Sequence, residues 1–226
     1  NSSTIISEKE ETAILNSLNH ELAQNAEEFI LSNSDKVSSV ILINEFFKNN
    51  ENPETLSRVL GYLEGEALNF PLTYKLKNYN QKLLLSTEGA EMPYFKLKAT
   101  QDEFFESSDF KNKYLLISFL SLNGDESGEI IETLNEVYTS LDTTEFEFLT
   151  IFVDSDSLPI KSVSLDSIPW KIVIEEKRWA SDIVEDYNIN YLPFNVLIDK
   201  KGDIITRDIP VSDVRNLIKS KIEESK

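Results

Sequence analysis

Cysteine is missing from this sequence altogether, and histidine occurs once, so carboxylates and hydroxyls are left as the groups able to do chemistry. Asp125 and Glu126 form an adjacent acidic pair. Such pairs divide acid and base roles where burial pushes their pKa values apart. The pattern puts these two at an exposed helix start, which argues against that tuning. Asp154-Ser155-Asp156 follows an apolar run but lacks the spacing and glycine of a calcium loop, so it reads as a solvated turn. His20 falls in a helical stretch with no serine and aspartate spaced to make a triad with it, and reads as a surface or interhelical polar residue. Trp170 and Trp179 read as core or groove-wall residues. There is no glycine-rich phosphate loop and no histidine-based metal cluster. Without cysteine there is no disulfide, thiolate metal site, iron–sulfur cluster or thiol nucleophile. These residues imply no cofactor, no metal and no catalytic residue.

The elements that would position such groups sit in a 226-residue chain, enough for one large domain or two small ones. Forty acidic against 22 basic residues give a net charge of −18, which repels phosphate backbones, and no basic stripe offsets it. Nucleic acid is excluded as a partner on that ground, and anionic membrane surfaces are unfavourable. The acidity serves solubility. No apolar run approaches the ~18 residues of a membrane span. A chain opening at Asn1 rather than Met is expected to have lost an upstream signal or anchor.

Residues 7–86 predict four amphipathic helices. Ile14, Leu18, Leu22, Phe29 and Ile30 are spaced to line one face of the first, and Val37, Val40, Ile41, Phe46 and Phe47 mark the second. Asn52-Pro53 caps the third, whose Leu56, Val59, Leu60 and Leu63 recur at helical period. The fourth starts near Phe70-Pro71 and carries Leu72, Leu76, Tyr79 and Leu83.

From residue 88 the pattern changes. Tyr114 to Leu120 is a continuous apolar strand of the kind buried on both faces. A turn at Asn123-Gly124-Asp125 leads to a helix over 126–141. Strands follow at 146–153 and 170–174, then a helix over 178–187. Strands 194–199 and 203–208 flank Lys200-Lys201-Gly202, a hairpin turn, and the chain closes with a helix over 212–224. Alternating strand and helix imply an α/β fold: a mixed sheet with a parallel core flanked by helices, preceded by an all-helical segment. The boundary predicts a helical domain over 1–87 and an α/β domain over 88–226, the second holding 28 of the 40 acidic residues.

Three stretches resemble the thioredoxin superfamily, and within it the TlpA/ResA-type envelope thiol–disulfide oxidoreductases of Bacteroidetes. Gly89-Ala-Glu-Met-Pro93-Tyr-Phe95-Lys-Leu97 resembles the family's opening. Asp109-Phe-Lys-Asn-Lys-Tyr-Leu-Leu-Ile-Ser-Phe119 resembles its run into the central strand. Tyr187-Asn-Ile-Asn-Tyr-Leu192-Pro193 followed by Phe194-Asn-Val-Leu-Ile-Asp199-Lys-Lys-Gly202 resembles its X-Pro and hairpin segment. The resemblance implies a thioredoxin-like fold over 89–226, a periplasmic or envelope location, an upstream lipid anchor, and a cis bond at Leu192–Pro193.

The family's Cys-x-x-Cys positions fall on Gly124 and Ser127, with Asp125 and Glu126 between them. Glycine offers no nucleophile, and a serine hydroxyl without an adjacent base does not replace a thiolate. The expected result is a capped helix start, with Asn123 as cap and Asp125 and Glu126 complementing the dipole. Phe194 stands where the family carries threonine and is expected to enlarge, and plug, the apolar surface beside Leu192 and Pro193. The function implied is a redox-inactive thioredoxin-like module binding another envelope protein or a peptide. The alternatives are an enzyme using non-thiol acid–base chemistry, or an oxidoreductase whose cysteines were removed by mutation.

Overall fold

The structure, a computed structural model, describes residues 8–48, 52–100, 103–122, 126–141, 144–154, 165 and 168–224. The chain divides into two units, Asn1–Leu83 and Leu84–Lys226.

The first unit is helical: α1 (Glu8–Ser32), α2 (Val37–Phe46), α3 (Pro53–Gly61), α4 (Gly65–Leu68) and α5 (Pro71–Leu85), which runs to the boundary. The sequence pattern predicts four helices; the single turn α4 is added between the third and fourth. Ala26, Ile30, Val40, Ile43, Leu56, Val59 and Leu76 make the core. The apolar stripe on α1 departs from expectation. Ile30 is buried, but Ile14, Leu18, Leu22 and Phe29 stay exposed, because only the C-terminal half of α1 packs on this core. At the start of α3, Asn52 Oδ1 accepts the Thr55 N–H at 3.0 Å, and Pro53 takes the first helical position, where no N–H is needed. Replacing Asn52 with alanine is expected to cost about 1 kcal/mol, lowering the midpoint of the helical unit's far-UV dichroism melt by about 5 °C.

The second unit is built on a five-stranded sheet in the order β5-β4-β3-β6-β7. Its strands are β3 (Tyr114–Ser121), β4 (Phe146–Asp154), β5 (Lys171–Ile174), β6 (Phe194–Ile198) and β7 (Ile204–Arg207). β3, β4 and β5 are parallel, while β6 and β7 are antiparallel to their neighbours, which gives the mixed sheet predicted from the sequence. Helices α6 (Ser127–Thr139), α7 (Asp182–Asp186) and α8 (Val211–Glu224) complete the layers.

Both faces of the sheet are covered, so β3 is buried along its length save for its last residue. Leu115, Ile117 and Phe119 join Phe95, Tyr187 and Phe194 on one face; Leu116 and Leu120 join Leu134, Phe148, Trp170 and Ile218 on the other. Trp170 is buried and donates its indole N–H to Thr150 Oγ1 at 2.9 Å, whereas Trp179 is exposed. At the β6–β7 turn, Asp199 Oδ1 accepts the N–H groups of Lys201, Gly202 and Asp203, and Gly202 takes φ = 99°, which favours glycine.

Two features differ from the sequence reading. The helix expected over 178–187 is a 3-10 turn, Arg178–Ala180, an extended Ser181, and the single short α7. A small hairpin, β1 (Lys96–Lys98) with β2 (Phe104–Glu106), which the sequence reading does not include, precedes the main sheet.

Candidate functional site

The region that the resemblance marks as a site lies at the C-terminal end of β3, where the chain turns into α6. Asn123, Gly124 and Asp125 lie outside the described residues, so the expected Asn123 cap and Asp125 carboxylate do too. Glu126 occupies the N-cap of α6, makes no side-chain cap bond there and is exposed; the acid in the first turn is Glu129. The expected placement of Glu126 inside the first turn is therefore corrected by one residue: the helix begins at Ser127. Ser127 is buried, and its hydroxyl donates to the Ser121 carbonyl, which ties the helix start to the strand end. Its proton is committed to a backbone acceptor, and His20 lies exposed on α1, 3.0 Å from the Gln24 amide nitrogen.

Leu192–Pro193 is a cis peptide. Phe194 follows it as the first residue of β6 and sits opposite Phe119 in the antiparallel register, so the two segments meet at the same end of the sheet. Pro193 is exposed and Leu192 is half-buried against the core. Phe194 is not the surface plug expected from the sequence. It is 1% exposed, part of the cluster with Phe119 and Tyr187, edge-on to Tyr191 at 5.3 Å between ring centroids. The Arg207 guanidinium lies 5.1 Å from its ring centroid. The reason is the pleat of β6: Phe194, Val196 and Ile198 share the face toward Tyr187, and Leu197 takes the other.

Among the described residues the arrangement offers no activated group. The Ser127 hydroxyl has the Ser121 carbonyl as its partner, with no carboxylate or imidazole bonded to it among the described residues, and Glu126 is exposed. Burial pushes the Tyr187 phenol far up, with the Asp186 charge adding to the effect; its hydroxyl lies 3.3 Å from the Pro93 carbonyl and stays protonated. Among the described residues no three histidine or acidic side chains converge into a metal site. Ser155 and Asp156 fall outside the described residues, so of that turn only Asp154, the last residue of β4, is placed.

Residues 89–207 match the AhpC/TSA family. No curated protein matches the chain. Solved structures similar to it include the C-terminal domain of a thiol-disulfide oxidoreductase of Bacteroides thetaiotaomicron. That domain is 25% identical with a TM-score of 0.55, over 62% of this chain and 98% of that one. A thiol-disulfide oxidoreductase from Bacteroides fragilis is 28% identical with a TM-score of 0.50, over 57% and 98%. The thioredoxin domain of a Bacteroides vulgatus oxidoreductase, at 21% identity and a TM-score of 0.53 over 59% and 96%, shares the fold. The matched length corresponds to the α/β half, as the thioredoxin-like resemblance implies.

Sequence reasoning missed the β1–β2 hairpin, whose outer face carries exposed Tyr94 and Phe104 beside Lys96 and Lys98. The signal was present as the strict alternation Phe95-Lys96-Leu97-Lys98-Ala99, apolar inward and cationic outward.

Proposed function

The chain belongs to the AhpC/TSA family, and from that premise we propose that it is a redox-inactive thioredoxin-like protein that binds a protein or peptide. The observation carrying this reading is a complete scaffold around an erased dithiol. The fold of thiol–disulfide oxidoreductases is kept, and sulfur survives in one methionine only. Disulfide exchange needs a thiolate that attacks and a mixed disulfide that resolves, and neither forms without cysteine. Gly124, Asp125, Glu126 and Ser127 stand at the family's redox positions in this reading, and Leu192, Pro193 and Phe194 at its X-Pro segment.

The cell envelope is the compartment that the resemblance to Bacteroides oxidoreductases supports, with a lipid anchor upstream as the means of attachment. Among the described residues no helix is long and apolar enough to cross a membrane. A cysteine-free chain is indifferent to the redox poise of that compartment. An acid–base enzyme is less well supported, because the one described member of the acidic pair, Glu126, is exposed.

The test is a pair of measurements on the purified chain. In an insulin reduction assay with dithiothreitol, the rate is expected to equal that of dithiothreitol alone; a protein-dependent rate would overturn the reading. A fluorescently labelled unfolded polypeptide, reduced and carboxymethylated α-lactalbumin, is expected to bind saturably. Its failure to bind would remove the binding role.

A further inference from the structure

Helix α1 carries two apolar faces, and the helical unit uses one of them. Ala26 and Ile30 are buried in the core, with Ala23 half-buried against it. Leu15, Leu18, Leu22 and Phe29 lie about 100° further round the helix, at ~3.6 residues per turn. They are 53%, 50%, 49% and 42% exposed, and Ile14 beside them is 49% exposed. Phe29 sits where α1 does pack, next to buried Ile30, and still points away, so the row is a second face and not only an overhanging end. We propose that this row is the seam of a parallel homodimer, in which α1 pairs with α1 of a second copy as a short coiled coil. The inference is independent of the polypeptide-binding reading above.

Spacing selects a helix as the occupant. The row runs Leu15, Leu18, Leu22, Asn25, Phe29, two heptads with Leu15, Leu22 and Phe29 at a and Leu18 and Asn25 at d. Side chains so spaced seat as knobs among those of a facing helix. Orientation follows from Asn25, the one polar residue in the row, which is exposed. Parallel helices pair a with a and d with d, so Asn25 meets Asn25 of the second copy, amide N–H to amide oxygen. Antiparallel helices pair a with d, which sets the amide against Leu15 or Leu22 with no such partner. Charge agrees with the parallel pair. Glu21 and Glu28, at g, fall beside the e positions five residues on, Ala26 and Asn33, so no two carboxylates face each other across the seam. Glu27 is engaged on the other side, by Arg58 and the Tyr62 hydroxyl.

Area sets the strength of the pair. With about half of each of five large apolar residues open, the face offers on the order of 450 Å2 per copy, the size of the largest patch on an ordinary monomer. Two copies together hide roughly 900 Å2, more than most packing contacts and less than the ~1,200–2,000 Å2 of stable complexes. The dimer is therefore reversible, with a dissociation constant of ~10–100 μM. Each copy carries a net charge of −18, so the copies repel, and salt that screens the charge tightens the pair. The same charge opposes an anionic lipid surface as the occupant.

Sedimentation velocity of the full chain between about 1 and about 300 μM reads this equilibrium. The weight-average coefficient is expected to rise with concentration, and to rise at lower concentration in about 0.5 M sodium chloride than in about 0.05 M. Leu22→Glu, at an exposed position outside the core, is expected to raise the dissociation constant at least about tenfold and to leave the far-UV dichroism melt unchanged. Because the chain has no cysteine, single substitutions report the geometry. Oxidised with copper phenanthroline at about 100 μM, Leu18→Cys is expected to give a disulfide-linked dimer. Gln24→Cys, exposed on the other side of α1, is expected to stay monomeric. Should Leu22→Glu not fold, this crosslinking pair decides. A monomer at every concentration, a dimer indifferent to Leu22→Glu, weakening by salt, or equal crosslinking through position 24 overturns the seam. So does a monomeric chain that binds phosphatidylcholine vesicles and loses that binding with Leu22→Glu, which would place the row on a lipid surface.

Discussion

Phe194→Thr, which restores the residue that the family resemblance places after the proline, is expected to destabilise the α/β unit by about 3–5 kcal/mol. The direction follows from where the ring sits. It is 1% exposed and fills space among Phe119, Tyr187 and Tyr191, under the Arg207 guanidinium. Threonine leaves a cavity of several carbon atoms there and sets a hydroxyl among apolar neighbours, where a missing partner costs a further ~1–3 kcal/mol. The thermal midpoint of this unit should fall by about 10 °C. A residue plugging a surface groove would behave differently: its loss would change stability by less than ~1 kcal/mol and open a cleft beside Leu192. The near-ultraviolet dichroism melt separates the two, and a midpoint within about 2 °C of the parent would return Phe194 to the surface.

That distinction marks where the sequence was legible and where it was not. The run Tyr114–Leu120 could only be a strand buried on both faces, and it is. The Lys200-Lys201-Gly202 turn fixes the β6–β7 hairpin because glycine alone takes its backbone angle cheaply. The thioredoxin-like order follows from these strands and the helices between them. Helical spacing on α1 told which residues share a face, but spacing carries no information on whether another element covers it; Ile14 and Leu18 stay exposed while Ile30 is buried. Ile183, Val184 and Tyr187 were right as buried residues and wrong as a long helix, because neither glycine nor proline marks the extended Ser181 that breaks it. For Phe194 the two-residue period of β6 already assigned its face with Val196 and Ile198. The resemblance drew attention to the neighbouring proline instead. The erased dithiol was fully legible, since it depends on composition and not on geometry.

Arg207→Met is expected to cost the same unit about 3–4 kcal/mol, through the two carbonyls it deserts. The Arg207 guanidinium donates through Nη1 to the Ser86 carbonyl and to Ser86 Oγ at 2.8 Å, and through Nη2 to the Tyr187 carbonyl at 3.1 Å. Ser86 is fully buried, so its carbonyl has no water to turn to when the donor goes. Methionine keeps the length and the apolar stem over the Phe194 ring, so the loss isolates the hydrogen bonds from the packing. Lysine at the same place keeps the charge but places one compact ammonium where a planar fork spans three acceptors. Arg207→Lys should therefore recover only about half of the loss. Urea unfolding followed by near-ultraviolet dichroism measures both, with the slope on denaturant unchanged if the unfolded state is unaffected. Arg207→Met within ~0.5 kcal/mol of the parent would mean that these bonds exchange with water as surface pairs do. Combined with Phe194→Thr, the effects should fall short of additive by about 1 kcal/mol, because cation and ring stabilise each other and either deletion already removes that share.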